Sequence, residues 1–512
     1  MYQRVLKDDP DNPDVLHMLG VAALQQNDLE NAAGLISKAL ALKPDFSLAH
    51  NSIGSVYQRL GRVDDAIRSF RQAIKFDPEN GNAQFNLGTM LLALRKHNEG
   101  AQALAQAANL LPSFPDAHYQ LGVAYRSLRL FDQAIAAFSR AIEINPDFSL
   151  AYSGLGNVYG DMGKLQEADA AHRRAIEADP GFHIGYFNLG NIAVRLDQTE
   201  RAVEAYRRVL EIKPDFVEAH GNLADTLFKA GEHEDAVAAI REGIARHPDE
   251  ANLYYMLGSA FQEMGNLDDA LKTADAALES APYNTKIISL KVAVLTALGQ
   301  KQAADTLFDP DRLIDTVRLK QVQGFEDLGT FNAELRDHIQ RHPTLFDDPT
   351  HNATRNGKHT GELLQEPKGP MAALEELIMQ AAEAYRRKIG TDPNHPFAAA
   401  PPRRFRLTAW AVVLSAEGYQ TAHIHPEAWL SGVYYAQVPA VVEAETPAHA
   451  GWIAFAKTPE LLEVEPGPEV RLIQPKEGLM VLFPSYFFHN TIPFETDETR
   501  ISIAFDLIPV WG

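Results

Sequence analysis

The feature that most constrains this chain is a 34-residue period that runs through more than half of its length. Glycine recurs at Gly20, Gly54, Gly88, Gly122, Gly156, Gly190 and Gly258, with Ala224 in the remaining slot. Proline recurs on the same spacing from Pro10 to Pro282, and twelve positions after each glycine slot comes a small residue, from Ala32 to Ala270. Glycine inside a helix costs roughly 1 kcal/mol relative to alanine, so its regular return needs a cause. Close crossing of two helices within each unit supplies one, with the proline ending the second helix.

These spacings, as in NSIGSVYQRLGRVDDAIRSFRQAIKFDP, resemble tetratricopeptide repeats. The resemblance implies an all-α superhelix over residues 1–306, eight full repeats with a partial one at each end, whose concave side holds a peptide. Met1 to Pro10 reads as the last third of a repeat without the polar outer face of a terminal unit. Truncation or self-association through that edge is expected. Tyr283 to Leu307 reads as one more helix pair, acting as a cap. Asn86, Asn188 and Asn222 share one repeat position. In the similar array of the protein O-GlcNAc transferases an asparagine ladder grips a peptide backbone there, since an amide donates and accepts at once. The alternative is three ordinary polar residues on a helix surface.

Charge and composition narrow the partners. Lys+Arg 47 against Asp+Glu 68 leaves a net charge of −21, which argues against nucleic acid or anionic lipid and is compatible with a neutral or basic polypeptide. With no cysteine there is neither a disulfide nor a thiolate metal site. No apolar run reaches signal-peptide or membrane-spanning length, so a cytoplasmic protein without a membrane partner is expected.

The period stops after Asp309-Pro310. Helices are expected near Leu328–Arg341 and Met371–Ile389, separated by a polar loop, DDPTHNATRNGKHTGELLQEPKGP, that carries His351 and His359. From Phe405 the texture turns to short β-branched and aromatic runs. Candidate strands are Phe405–Ser415, Gln420–His425, Ser431–Gln437, Gly451–Phe455, Val470–Ile473, Leu479–Phe483 and Arg500–Leu507. Such a series after flanking helices suggests a jelly-roll domain over residues 307–512.

Within that domain, Gly418 to Tyr435 reads as a strand, a corner at Pro426 and a second strand. His423 and His425 then point to one face, where two imidazoles can grip one metal ion. The run GLMVLFPSYFFHNTIPF reads as a strand and turn that deliver His489 as a third ligand. Arg500 and Ser502 share one face of the next strand, and a guanidinium on a core face requires an anion, which its planar fork pairs bidentately. Trp429 and Trp452 are read first as core and second as a wall for substrate.

The order H-x-H, a further histidine, then an arginine resembles the 2-oxoglutarate/iron(II) oxygenases. More narrowly, HIHPEAWLSGVYY with FPS…H…R-x-S is similar to a bacterial and phage subfamily, some members of which are fused to tetratricopeptide arrays. The resemblance covers roughly residues 320–512 and implies a double-stranded β-helix. It further implies Fe(II) held by His423 and His489, and 2-oxoglutarate as co-substrate with its far carboxylate on Arg500, Ser502 and Tyr435. The reaction implied is hydroxylation of a C–H bond, with succinate and carbon dioxide as by-products. Where the wider superfamily has a carboxylate ligand, this chain has His425. Three completions stay open: His425 itself, Glu427 reaching round Pro426, or water as in the aspartyl β-hydroxylase-like oxygenases. A face shared with His423 favours His425. The activity expected is hydroxylation of a peptide or protein held by the repeats. The alternatives are a peptide-binding scaffold without turnover and a cupin-like three-histidine dioxygenase that does not use 2-oxoglutarate.

Overall fold

The computed structural model describes residues 11–347, 353–444, 449–463 and 467–510. The partial repeat at Met1–Pro10, with the self-association expected of it, and His351 lie outside the described residues.

From Pro13–Gln25 to Leu267–Ser280 the helices alternate between 13 and 14 residues. The glycine period has the cause expected of it. A Cβ on Gly54 would meet the Phe70 ring at 2.6 Å, and one on Gly156 would meet the His172 ring at 2.7 Å. One large side chain per repeat lies flat on the neighbouring helix backbone, and Ile36, Phe70, Leu104, Phe138, His172 and Tyr206 fill this slot in turn, all buried. A second period appears at the turn within each pair. Asn27, Gly61, Arg95, Arg129, Gly163, Asp197, Gly231, Gly265 and Gly299 all have positive φ.

The chain packs as two compact units, residues 1–230 and 231–512. In the first, successive helix pairs stack in order. The second contains the later repeat helices and all the strands. Thr285–Ala297 is rich in apolar residues and buried over most of its length, and its partner Lys301–Leu307 has only seven residues. Ile288, Val292, Leu295, Leu307 and Phe308 accordingly share a single hydrophobic core with the strands, so this pair is covered and is not a solvent-facing cap. Polar ties reinforce the join. The Tyr486 hydroxyl donates to the Leu307 carbonyl at 2.6 Å, and the Thr285 hydroxyl to the Ala428 carbonyl at 2.8 Å. Lys457 pairs with Asp305.

The strands are β1 Asp315–Arg318, β2 Phe346–Asp347, β3 Thr354–His359, β4 Phe405–His423, β5 Leu430–Gln437, β6 Ile453–Ala456, β7 Arg471–Ile473, β8 Leu479–Pro484, β9 Phe488–Thr491 and β10 Arg500–Pro509. They form one curled antiparallel sheet in the order β1-β8-β5-β10-β4-β9-β6-β7, with β3 also on β4. The helices Leu328–Gln340 and Met371–Ile389 flank it.

Two expectations fail here. The polar loop contains a strand, β3, which pairs with β4 on one side and with the short β2 on the other. Its alternating exposed positions are polar, so no apolar run betrays it. The two strands expected on either side of Gly418 are one continuous 19-residue strand. It bends instead of stopping: Glu417 has φ 61°, and the register with β3 slips between Arg355 and Gly357. At the bend a Cβ on Gly418 would lie 2.8 Å from the Ser415 carbonyl oxygen and 2.9 Å from that of Asn356. The first half of β4 pairs with β10 and the second with β9, which closes the jelly roll. Among the described residues no helix is long and apolar enough to cross a membrane.

Candidate metal centre

The end of β4 sets the site. His423, its last residue, lies opposite His489 on β9 as a directly paired residue. His425 follows two positions on, in the corner before β5. His489 thus comes on a short strand of its own and not on a turn. Ring centroids are 4.3 Å apart for His423 and His489, 5.1 Å for His423 and His425, and 5.2 Å for His425 and His489.

The hydrogen bonds behind the rings decide which nitrogen faces inward. Nδ1 of His423 lies 2.7 Å from the Thr421 carbonyl oxygen, and Nδ1 of His489 lies 3.0 Å from that of Phe487. A carbonyl only accepts, so each Nδ1 carries the proton and each Nε2 keeps a lone pair. Nδ1 of His425 lies 2.9 Å from Asp506 Oδ2, so its Nε2 is the nitrogen left to face the other two rings. One ring nitrogen from each histidine falls within 4.8 Å of the others. Burial holds His423 in the neutral form, its pKa pulled down to about 4, and pulls His489 well below the usual imidazole range. Neighbouring imidazoles push both in the same direction. The neutral His423 and His489 offer two converging lone pairs, and the third imidazole, His425, stands within ligand distance of both. The donor set therefore fits a divalent metal of the kind imidazole prefers: iron, zinc, copper or nickel.

The structure does not bring Glu427 to this cluster. Its side chain is exposed and lines a separate cavity with Asn252, Lys286 and Pro426. The carboxylate near the metal cluster is Asp506, which sequence reasoning missed. Its signal was present, because Arg500, Ser502, Ala504 and Asp506 alternate onto one face of β10.

The histidines open into a cavity of about 340 Å³ that also admits Tyr435, Thr491, Arg500 and Ser502. Arg500 is 2 % exposed, and among the described residues it has no carboxylate partner. Its Nη1 donates to the Thr491 hydroxyl at 3.2 Å, its Nε has no partner, and its Cζ lies 5.1 Å from the Tyr435 ring centre. The buried Tyr435 hydroxyl faces the same guanidinium, which acts on it electrostatically, but forms no hydrogen bond of good geometry among the described residues. The Ser502 hydroxyl makes a long contact of 3.4 Å to the Val412 carbonyl. A desolvated cation whose own Nε has no acceptor is costly unless an anion joins it. The residues present therefore fit the carboxylate of a small acid.

His359, from β3, reaches the cavity wall, where Trp410 stacks between it and His425 with centroids 6.1 and 5.7 Å away. Trp429 is core: it is 3 % exposed, stacked on Phe397, and donates to the Phe397 carbonyl. The Trp452 indole donates to the Val442 carbonyl and does not line the cavity. In the first unit the repeat asparagines link adjacent repeats. Asn86 donates to Asn51, Asn188 to Ser153 and Asn222 to Asn191, each at 3.0 Å.

Comparison with known proteins gives two families. Residues 408–506 match the family described as "Putative 2OG-Fe(II) oxygenase". Tetratricopeptide-repeat models match residues 1–45, 52–109, 115–148, 153–215, 193–260 and 251–284. No curated protein matches the chain. Among solved structures, similarity is found to MamA (30 % identity, TM-score 0.30, covering 32 % of this chain and 95 % of that one). It is also found to YrrB, described as a TPR protein with an unusual peptide-binding site (21 %, 0.32, 36 % and 95 %). A third is the APC/C hetero-tetramer Cut9-Hcn1 (18 %, 0.39, 51 % and 51 %).

Proposed function

We propose that this chain, a tetratricopeptide-repeat array carrying a C-terminal 2OG-Fe(II) oxygenase domain, is an iron(II)- and 2-oxoglutarate-dependent hydroxylase acting on a peptide or protein. The observation that carries the reading is one cavity holding both three convergent histidine nitrogens and a buried guanidinium without an ion-pair partner among the described residues. His423, His425 and His489 would hold iron(II). Arg500, with Tyr435 and Ser502, would take the far carboxylate of 2-oxoglutarate. When bound, the metal and co-substrate supply the oxidising chemistry, in which oxygen is consumed, 2-oxoglutarate leaves as succinate and carbon dioxide, and a substrate C–H becomes C–OH.

The protein's own residues orient and enclose. The Thr491 hydroxyl fixes one arm of the Arg500 fork, so its remaining N–H groups are aimed before any anion arrives. Phe483 and Ile453 present apolar surface to the cavity and limit water there. Trp410 and His359 form a flat wall beside His425, suited to lie along a substrate side chain. The asparagines at 86, 188 and 222 each commit one N–H to the preceding repeat. The amide plane is thereby set for pairing with a peptide backbone.

The three-histidine set favours one rival, a dioxygenase that binds its organic substrate through Arg500 and does not use 2-oxoglutarate. Anaerobic iron(II) titration with and without 2-oxoglutarate, followed by succinate assay in air, separates the two. Metal-dependent succinate release is expected. Iron binding indifferent to 2-oxoglutarate would favour the rival, and no iron binding would leave a peptide-binding scaffold.

A further inference from the structure

We infer that Asp506 is the positioning residue of the metal centre: it braces His425 from behind and supplies, one residue removed from the ion, the negative charge a carboxylate ligand would have brought. This rests on the metal-centre reading above. The three histidines are not held alike. His423 and His489 each rest on a backbone carbonyl, whereas His425 rests on an anionic side chain. His423 and His489 are also fixed by strand pairing with each other, while His425 stands beyond the end of β4. It is the ligand whose orientation the sheet does not determine.

Asp506 is built to determine it. Oδ2 accepts the His425 Nδ1–H at 2.9 Å, and Oδ1 accepts the Ser431 hydroxyl at 2.6 Å. Ser431 and Ser485 hydroxyls lie 2.8 Å apart, and the His425 backbone N–H donates to the Ser485 carbonyl at 3.0 Å. The carboxylate is thus held between β5, β10 and the turn after β8, each oxygen accepting one hydrogen bond. A carboxylate behind a ligating imidazole fixes its tautomer and raises its basicity, and losing such a partner typically lowers metal affinity 10–100-fold. The electrostatic result is a three-imidazole centre that keeps one nearby anion.

The test is anaerobic Co(II) titration of the full-length chain, followed by visible absorption, for wild type, D506N, D506A and H425A. D506A is expected to weaken Co(II) binding by about 10–100-fold and to shift the absorption bands, as a misoriented ligand would. D506N keeps an acceptor for Nδ1–H without the charge, so it should fall between wild type and D506A. Being nearly isosteric, it decides the matter should D506A fail to fold. Unchanged affinity and spectrum in D506N would overturn the inference. So would H425A binding as wild type does while D506N does not, since the carboxylate would then be on the ion itself. A wild type that binds no Co(II) would instead remove the metal-centre reading on which the inference stands.

Discussion

At the scale of single residues, the site is set by what each buried polar atom lacks. Arg500 is the sharpest case: its Nε is unpartnered, and no carboxylate among the described residues neutralises it. Charged hydrogen bonds to a bound anion contribute roughly 1.5–3 kcal/mol each. R500Q is therefore expected to raise the KM for 2-oxoglutarate by about 100-fold while leaving Co(II) affinity essentially unchanged, as steady-state succinate assays beside metal titration would show. An equal loss of both would mean that Arg500 supports the fold and not the ligand. Much of this site was legible in the chain itself. His423, His425, His489, Arg500, Ser502 and Tyr435 were singled out from spacing, strand alternation and resemblance, and all of them reach one cavity. Asp506 was not, because an aspartate late in an apolar strand looks like a solvated end until its partner is known. Glu427 was weighed because it is near in sequence, yet the corner at Pro426 turns it outward, and no pattern of residue types reports the direction of a turn.

At the scale of helices and strands, the repeat period was readable because a packing constraint recurs with it, and that same regularity makes two further predictions. The slot that holds Ile36, Phe70, Leu104, Phe138 and Tyr206 in other repeats holds His172, which is buried with its pKa pulled down to about 4 by desolvation. Between that value and the unfolded 6.5 the unfolded chain binds the extra proton, so stability rises with pH through this window and is lost as pH falls through it. From pH 7 to pH 5 the loss should be roughly 2 kcal/mol. H172F, which copies Phe70 and Phe138 in equivalent slots, should remove most of it, as denaturant midpoints at the two pH values would reveal. The turn period gives the second prediction. Arg129 has φ 58° where five of the nine equivalent turns carry glycine. R129G should stabilise the first unit by up to about 1 kcal/mol in the same assay, since glycine bears no Cβ penalty there. The strands were harder to read. β3, between the two-residue β2 and β4, has polar exposed side chains, and β4 passes through a glycine that ordinarily marks a break. In both cases the neighbouring strand, not local propensity, decides the outcome.

For the whole molecule, the question is what the repeats do for the oxygenase domain. The 34-residue period continues past residue 230, but packing divides the chain there, and the helices from His233 onward belong to the same compact unit as the strands. Local periodicity cannot register that change, because it describes how a helix pair is made and not what the pair rests on. On the proposed function, the two parts of the array would have separate duties. Ile288, Val292, Leu295 and Phe308 fill the core shared with the strands, so a chain beginning after residue 308 would expose the surface around Phe487 and Tyr486 and is expected to aggregate. Residues 231–512 hold that core together with all the candidate ligands, whereas Asn86, Asn188 and Asn222 all fall within residues 1–230. A chain beginning at Gly231 is therefore expected to stay soluble, to bind Co(II) as the full protein does, and to release succinate slowly without a polypeptide substrate. It should lose hydroxylation of that substrate, measured by mass spectrometry of the target, by at least 10-fold in kcat/KM, as follows if the first unit holds the substrate as proposed. Hydroxylation at the full rate by the shortened chain would show that the first unit does not hold the substrate, and would leave recognition to the wall around Trp410 and the cavity beside Glu427.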